Sequence, residues 1–197
     1  MIDPNNVTKF DRSRADLEEF AIFSVLVAGK TAKTISVCLS RFLAISKAMP
    51  IHGKFATPFE YVREFSRLEL PSIFKGCGIG CYTNKAYAVF DLASAGLDLK
   101  TCTPQALEKI KGIGPKTSRF FILHSRPNQR YAVLDRHILR WMREEHNIPF
   151  VPENTPTKHQ YERLEKQFLS LCDRLHEDPA RLDLYIWTKY SSRKEQS

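Results

Sequence analysis

The chain has 197 residues, of which 43% are hydrophobic and 11% aromatic, so it can bury a substantial core as one domain or two small lobes. Its net charge of +8 favours a polyanionic partner, nucleic acid before a membrane surface. No apolar run approaches the roughly 18–20 residues of a membrane-spanning helix, and the N-terminus lacks the apolar region of a signal peptide. We therefore expect no membrane partner and an intracellular location, in the cytoplasm or nucleoid if the source is prokaryotic.

The five cysteines are Cys38, Cys77, Cys81, Cys102 and Cys172. An odd number in a chain without a secretory signal argues against a disulfide framework. Cys77 and Cys81 form only a weak metal motif, because no further cysteines or histidines cluster around them. We expect reduced, packed cysteines, no catalytic metal and no nucleotide cofactor.

The N-terminal third of the chain is predicted to be helical after a short arm. Residues 1–14 are polar and are predicted to form a loose arm, and apolar residues at helical spacing predict a first helix over 15–28. Gly29 is expected to end that helix as a C-cap glycine. The segment is not a phosphate loop, because that motif requires a glycine where Ser24 stands. A second helix is predicted over 31–47.

The middle of the chain is predicted to contain two further helices and no strand. Residues 49–54 form a connection, and short helices are predicted over 58–67 and from about Gly80 to Ala95. The glycines at 76, 78 and 80 do not match a dinucleotide fingerprint, because Cys81 stands at the next position and no strand pattern precedes them. Because no strand-rich stretch occurs anywhere, the expected fold class is all-α.

Residues 103–125 are predicted to form two short helices joined by a glycine hairpin. Thr103 can cap the first helix, with Pro104 at its first position. Gly112-Ile113-Gly114 then breaks it, Ile113 is expected to pack between the helices, and Pro115 opens the second helix. Unpaired N–H groups and the positive end of the helix dipole make that start a phosphate site. In this helix–hairpin–helix motif the candidate DNA contacts are Lys111, Gly112, Gly114 and Thr117.

Charge agrees with a DNA-binding surface in this region. Between Lys109 and Arg143 there are nine basic residues and a single acid, Asp135. A surface that faces phosphates would show this bias, because neutralising phosphates releases counterions. A solvated basic face is the alternative that charge alone would favour.

Lys116 and Asp135 are the candidate catalytic pair. Lys116 lies in the first turn of the second hairpin helix, and Asp135 opens the next helix 19 residues later, so both can meet at neighbouring helix N-termini. A lysine at the positive end of a helix is favoured as the neutral, nucleophilic amine. A carboxylate beside it can steer the proton and stabilise positive charge on a sugar. The simpler alternatives are an N-cap for Asp135 and a phosphate contact for Lys116.

The segments KGIGPKTSRFF and YAVLDRHILR together resemble the HhH-GPD superfamily of base-excision DNA glycosylases. The resemblance implies that Lys116 is the Schiff-base lysine and Asp135 the catalytic aspartate of the bifunctional glycosylase/AP-lyase branch. It implies a two-lobed helical fold with a cleft between the lobes. It also allows a structural Na⁺ or K⁺ at the hairpin carbonyls of Ile110 and Ile113.

Other segments extend the resemblance. GCYTNKA is similar to a family helix start, which makes Lys85 a candidate DNA contact, with a solvated lysine as the alternative. In the family, the loop after the first long helix inserts a wedge into the gap left by a flipped base. Gly29, at that position, has no side chain, and Lys30 beside it is a candidate contact. Arg136 and His137, directly after the aspartate, are further candidates.

The C-terminal part is predicted to contain a long amphipathic helix over 155–176 and a last helix that starts at Pro179. The segment LDLYIW in the last helix resembles the closing segment of the compact 8-oxoguanine glycosylase/AP-lyase family, which lacks an iron–sulfur cluster. Asp183 and Trp187 are therefore candidates for the base pocket, although Trp187 can equally be an ordinary core residue. Lys189 and Lys194 are candidates for the family's C-terminal lysine.

These observations predict one lobe from residues 15–28 and 150–197, and a second from 29–149 that carries the helix–hairpin–helix motif and the aspartate. The predicted function is removal of an oxidised base, 8-oxoguanine, followed by strand cleavage through a lysine Schiff base. The predicted partner is damaged double-stranded DNA, bound by a monomer. Two alternatives stay open: a glycosylase of the same fold for an oxidised pyrimidine or ring-opened purine, and a non-catalytic DNA-binding module.

Overall fold

The computed structural model describes residues 2–48 and 57–191, and in these ranges the chain forms ten α-helices and no β-strand. The helices are α1 (Arg14–Leu26), α2 (Ala32–Ala48), α3 (Pro58–Arg63), α4 (Leu70–Gly76), α5 (Tyr82–Ser94), α6 (Pro104–Glu108), α7 (Pro115–Ser125), α8 (Arg136–Glu144), α9 (Lys158–Leu175) and α10 (Pro179–Ser191). The all-α prediction is confirmed. The predicted connection over 49–54 and the candidate Lys194 lie outside the described residues.

Most helices begin where the sequence supplies a capping residue. Ser13, Thr57 and Thr103 accept a hydrogen bond from an amide in the first turn of α1, α3 and α6, which satisfies an otherwise unpaired donor. Thr157 and Gln160 form a reciprocal capping box at the start of α9. Helix α4 was not predicted, because its seven residues are too short to show a helical repeat and no side chain caps its start.

The first hydrophobic core is built from α1–α7. Helix α1 is buried along most of its length and packs against α2, α3, α5 and α7. Phe20 of α1 contacts the rings of Phe120 and Phe121 of α7, while Phe42 and Phe74 meet edge to face between α2 and α4. Burial of these large apolar side chains is the main driving force that fixes α7, and with it the hairpin, on the body of the protein.

The second core is built from α8–α10. Its fully buried members include Leu139, Phe168 and Ile186. A small cluster of Leu123, Val133 and Ala180 lies between the two cores. Helix α1 contributes to the core of α2–α7, and α8 shares a core with α9 and α10.

The arm that precedes α1 is not loose. Val7 is buried in the first core, the amide of Lys9 donates to the carbonyl of His124 at 3.1 Å, and Ser36 donates to the carbonyl of Ile2 at 2.6 Å. Buried Arg12 provides the firmest attachment, because its guanidinium donates to main-chain carbonyls on both sides. Composition alone suggested a mobile segment, whereas buried hydrogen bonds and one apolar anchor fix it to the body.

None of the described helices combines the length and the apolar character that a membrane span requires.

Candidate active site

The helix–hairpin–helix motif consists of α6, a tight turn and α7. In the turn, the amide of Ile113 donates to the carbonyl of Ile110 at 3.0 Å, and Ile113 is buried in the first core, as expected. Gly112 has φ +98°, and a Cβ atom there would lie 2.9 Å from the Cβ of Ala88 on α5. A side chain at this position is therefore excluded by both conformation and space.

The start of α7 is open to an external acceptor. Gly114 is the N-cap residue and contributes no side-chain hydrogen bond to the first turn. Pro115 has no N–H, so the amides that follow it carry the positive end of the helix dipole. This geometry suits a phosphate oxygen.

A cleft of about 850 Å³ runs along this helix start. Gly114, Lys116 and Thr117 line it from α7; Asp135, Arg136 and His137 line it from the start of α8; Gly29 and Lys30 line it from the turn after α1. Trp187 and Ser191 of α10 also line the cleft. The structure thus brings together side chains that lie more than a hundred residues apart in the sequence.

Asp135 is the N-cap of α8. Its Oδ1 accepts the amides of His137 at 2.8 Å and Ile138 at 3.0 Å. These two bonds fix the carboxylate at the mouth of the helix and involve only one of its oxygens. The capping role is therefore present, and it also holds the carboxyl group in the cleft that Lys116 lines.

A smaller cavity of about 50 Å³ shares Lys116, Asp135 and Trp187 with the cleft. The rest of its lining is mainly apolar: Pro4, Val7, Phe23, Val27, Ala32, Phe120, Val133 and Leu184. The ammonium of Lys116 lies 5.4 Å from the centre of the Phe120 ring. The cavity is thus a narrow, mainly apolar slot beside the lysine and the carboxylate.

One polar group is built into the wall of this slot. Asp183 is buried, and its Oδ2 lies 3.0 Å from Nε2 of His124. Nδ1 of the same imidazole lies 2.8 Å from the hydroxyl oxygen of Thr8 in the arm. Burial raises the pKa of Asp183, and the hydrogen bond from His124 acts in the opposite direction.

Lys85, a predicted DNA contact, is instead buried. Its ammonium donates to the carbonyl of Leu26, the last residue of α1, and does not line the cleft. The pKa of Lys85 is lowered to about 8, mainly by burial and to a smaller extent by nearby Lys30 and Lys116. Here the lysine holds the end of α1 against α5.

The remaining predicted contacts divide into two groups. Lys30, Thr117, Arg136 and His137 line the cleft, although Thr117 and His137 are largely buried. Lys111 and Gly112 are exposed on the hairpin but do not line the cleft.

Most of the basic residues between Lys109 and Arg143 have partners within the protein. Five of the arginines bind partners within the protein. Three of them form ion pairs: Arg119 with Glu108 and Glu165, Arg130 with Asp173, and Arg140 with Glu144. The other two donate to main-chain carbonyls: Arg126 to those of Leu99 and Cys102, and Arg143 to that of Pro152. Part of the positive charge in this segment is therefore engaged by carboxylates and carbonyls of the protein itself.

Sequence reasoning missed the arm, His124 and Phe120 as parts of the site. Thr8 and His124 are 116 residues apart, and neither belongs to a motif with a characteristic spacing. Val7 is flanked by two polar residues on each side, so the arm shows no periodicity that could have predicted its docking.

Comparison with known proteins agrees with this geometry. A profile of the family described as 8-oxoguanine DNA glycosylase matches residues 69–177, more than half of the chain. The chain belongs to the 8-oxoguanine DNA glycosylase family. The matched range includes the hairpin, Lys116 and Asp135.

A relative from Picrophilus torridus, named 8-oxoguanine DNA glycosylase/AP lyase, is 32% identical over 81 residues. That match covers 41% of this chain and 37% of the relative's own length. The chain therefore aligns with well under half of this curated member of the family.

Solved structures of the family share the fold. The 8-oxoguanine glycosylase/lyase of Methanocaldococcus jannaschii, in complex with a 15mer DNA containing 8-oxoguanine, has a TM-score of 0.67 at 22% identity and covers 92% of this chain and 84% of its own. The 8-oxoguanine DNA glycosylase of Thermotoga maritima has a TM-score of 0.64 at 22% identity, with coverages of 90% and 80%.

Among the described residues, no group of three or more His, Cys, Asp or Glu side chains is arranged to hold a metal ion. The five cysteines are all free thiols: Cys77 is buried, whereas Cys81 is exposed at the start of α5.

Proposed function

We propose that this protein is a bifunctional DNA glycosylase/AP lyase that removes 8-oxoguanine from double-stranded DNA. The observation that carries the proposal is the placement of Lys116 and Asp135 on one cleft, at the open start of a hairpin helix, with an apolar slot beside them. Membership of the 8-oxoguanine DNA glycosylase family supports the choice of substrate.

Binding would begin at the phosphate backbone. The first amides of α7 would hold one phosphate, and exposed Lys30, Lys111 and Arg136 would neutralise others. The damaged nucleotide would then leave the base stack and enter the cleft. A cleft of about 850 Å³ is within the size range of small-molecule sites and accommodates a single nucleotide.

In the first chemical step, the bond between the base and C1′ breaks and the base leaves with a proton. Asp135 would stabilise the positive charge that develops on the sugar ring and assist this proton transfer. The neutral amine of Lys116 forms a bond to C1′. Ring opening at O4′ then gives a protonated Schiff base between Lys116 and C1′.

In the second step, the Schiff base makes the C2′ proton acidic. Loss of that proton and departure of the 3′ phosphate complete β-elimination, and water releases the lysine. Asp135 is the carboxylate on the cleft wall, next to this chemistry, that can accept the proton.

A hairpin cation is compatible with the residues present. The carbonyl of Ile110 accepts one hydrogen bond, from Ile113, and a carbonyl oxygen has a second lone pair that a hard cation such as Na⁺ or K⁺ can use. When bound, such a cation would add positive charge at the phosphate site.

Borohydride trapping tests the proposal, because reduction of the Schiff base leaves a stable protein–DNA adduct. We expect wild-type protein to form this adduct with a duplex containing 8-oxoguanine, and Lys116→Gln to form none while still binding the duplex. Lys109→Gln is the matched control, because Lys109 is an exposed lysine of the same motif that does not line the cleft; it should trap normally.

Undiminished trapping by Lys116→Gln would exclude this lysine as the nucleophile. A panel of duplexes with oxidised pyrimidines and ring-opened purines decides between 8-oxoguanine and another lesion. If damaged and intact duplexes bind equally and no base is released, the protein is a non-catalytic DNA-binding module. Sedimentation with and without DNA tests the predicted monomer.

A further inference from the structure

The segment that leads into Asp135 is buried, although it belongs to no helix. Residues 132–134 lie between α7 and α8, and each is at most 2% exposed. Buried main-chain N–H and C=O groups need hydrogen-bond partners. The described part of the chain contains no β-strand that could supply them. Two side chains of α9 do so instead, Tyr161 and Glu165.

The hydroxyl of Tyr161 holds this segment at two points. It donates to the carbonyl of Ala132 at 2.7 Å and accepts the amide of Leu134 at 3.1 Å. Burial raises the pKa of Tyr161, so the hydroxyl keeps the proton that the first of these bonds requires. The amide of Asp135 itself donates to the carbonyl of Val133 at 2.6 Å. The main chain is therefore fixed up to the residue that carries the carboxylate.

Glu165, one turn further along α9, joins the same segment to helix α7. Its Oε1 accepts the amide of Ala132 at 3.0 Å and Nε of Arg119 at 2.8 Å. Arg119 lies one turn after Lys116 on α7, and its guanidinium is 4.8 Å from the centre of the Tyr161 ring. A single carboxylate oxygen therefore contacts both the segment before α8 and the helix that carries the lysine.

We propose that Tyr161 and Glu165 are positioning residues that set the Asp135 carboxylate relative to the Lys116 amine. This inference rests on the proposed function, in which both groups act on one deoxyribose. Neither Tyr161 nor Glu165 lines the cleft or the slot, so their effect on the chemistry passes through the main chain. A shift of the segment would move the start of α8, and with it the carboxylate, while the lysine stays on α7.

Tyr161→Phe removes the hydroxyl and keeps the ring that packs against Arg119. We expect it to slow single-turnover release of 8-oxoguanine about 10- to 100-fold at saturating protein, the range that a displacement of about 1 Å can cause. The protein concentration that gives half the maximal rate should stay at the wild-type value, because the phosphate contacts lie on other residues. A loss confined to the rate separates misplacement of a reacting group from weakened binding.

Tyr190→Phe is the matched control. It removes the hydroxyl of another buried tyrosine in the second core, one that donates to Glu145 at 2.7 Å and does not line the cleft. This bond holds no part of the segment before Asp135. We expect Tyr190→Phe to release the base at the wild-type rate.

Two substitutions of Glu165 separate the position of the acceptor from its charge. The bonds from Ala132 and Arg119 both fall on Oε1, so the amide oxygen of Glu165→Gln can accept them, whereas Glu165→Leu has no acceptor. We expect Glu165→Gln to stay within about threefold of the wild-type rate, because a neutral acceptor weakens these bonds without removing them. Glu165→Leu should lose as much as Tyr161→Phe. Equal losses in the two Glu165 variants would exclude the acceptor as the feature that matters.

A double-mutant cycle with Asp135 tests whether the effect passes through that carboxylate. Asp135→Asn keeps a helix cap, since asparagine caps as well as aspartate, but it removes the charge. Cleavage of an abasic duplex suits this measurement, because no base has to leave and the amine of Lys116 can react with the sugar aldehyde directly. Tyr161→Phe should slow this cleavage when Asp135 is present and change it by less than about twofold in Asp135→Asn, because residues that act as a unit are not additive.

Wild-type base release by Tyr161→Phe would overturn the inference, and so would an equal loss in Tyr190→Phe. The same fold-loss in both backgrounds of the cycle would show a general structural effect and would also overturn it. Failure of the proposed function looks different: the wild-type protein would then release no 8-oxoguanine and cleave no abasic duplex. If Tyr161→Phe melts at a lower temperature than Tyr190→Phe, the rates are compared where both are folded, and the cycle decides.

Discussion

Arg119 and Arg130 carry the same charge in very different surroundings. The side chain of Arg119 is 8% exposed and pairs with Glu108 and Glu165 at 2.7 and 2.8 Å. Arg130 pairs with Asp173, but its side chain is 52% exposed. Water screens the charges of Arg130 and Asp173. Removal of Arg119, in contrast, leaves the carboxylates of Glu108 and Glu165 poorly solvated and without their ion-pair partner.

We therefore expect Arg119→Met to lower the free energy of unfolding by about 3–5 kcal/mol, and Arg130→Met to lower it by less than about 1 kcal/mol. Urea denaturation followed by circular dichroism measures both. Neither variant should lose affinity for DNA under conditions where it is folded. A stable Arg119→Met protein with weakened DNA binding would place this arginine on the phosphate surface after all.

The sequence was sufficient to find residues whose role depends on local structure. Thr103 and Asp135 cap helices that begin next to them, and Lys116 follows Pro115 at a helix start. Lys85 shows the limit of local reasoning. Its position on α5 was predicted, but whether a lysine on a helix faces water or another helix depends on packing, and here it meets the end of α1.

At the scale of elements, the hairpin depends on a glycine for two independent reasons. Gly112 has φ +98°, and an added Cβ would lie 2.9 Å from the Cβ of Ala88. Gly76, the last residue of α4, has an ordinary φ and open space around it. The two glycines therefore make a matched pair for the same substitution.

We expect Gly112→Ala to lower the free energy of unfolding by about 2–3 kcal/mol, since strain at a left-handed position and steric overlap add. Gly76→Ala should change it by less than about 1 kcal/mol. Affinity for undamaged duplex should fall with Gly112→Ala because the turn that sets the amides of α7 is distorted. Thermal denaturation and fluorescence anisotropy provide the two measurements, and equal stability of the two variants would contradict the argument.

Helix prediction succeeded where apolar periodicity was long, and for the short helices α3 and α6, which a capping threonine and a proline open. Helices α1, α2, α5 and α9 lie within two to three residues of their predicted starts. Helix α4 has seven residues and passed unnoticed. For the same reason the arm was expected to be loose: a few buried residues without periodicity give no signal, although Val7 and Arg12 fix it firmly.

At the scale of the molecule, the cleft lies where α7 of the first core meets α8 and α10 of the second. The pairing of helices across this boundary is long-range and was not predictable from spacing. The contact between Phe20 of α1 and the two phenylalanines of α7 in the first core is a further long-range example, because a hundred residues separate them in the sequence. The resemblance to a family predicted a cleft, but it did not predict which segments of the chain line that cleft.

The number of basic residues that contact phosphates decides how strongly salt should weaken DNA binding. If all nine basic residues between Lys109 and Arg143 met phosphates, log K would fall with log salt concentration with a slope of about −8. The structure commits five of these arginines to partners within the protein. Of the other four, Lys116 is the nucleophile of the proposed mechanism, and Lys109, Lys111 and Arg136 are exposed. Together with exposed Lys30 on the cleft, they make four cations, which gives an expected slope of about −3.6.

Titration of undamaged duplex with wild-type protein between low and moderate salt measures this slope. Lys111→Gln should make the slope shallower by about 1, because it removes one phosphate contact. Arg130→Gln should leave the slope unchanged, since its guanidinium is bound to Asp173 at 2.6 Å. A wild-type slope near that of nine contacts would mean that the internal ion pairs open when DNA binds, so that the protein exchanges its own carboxylates for phosphates.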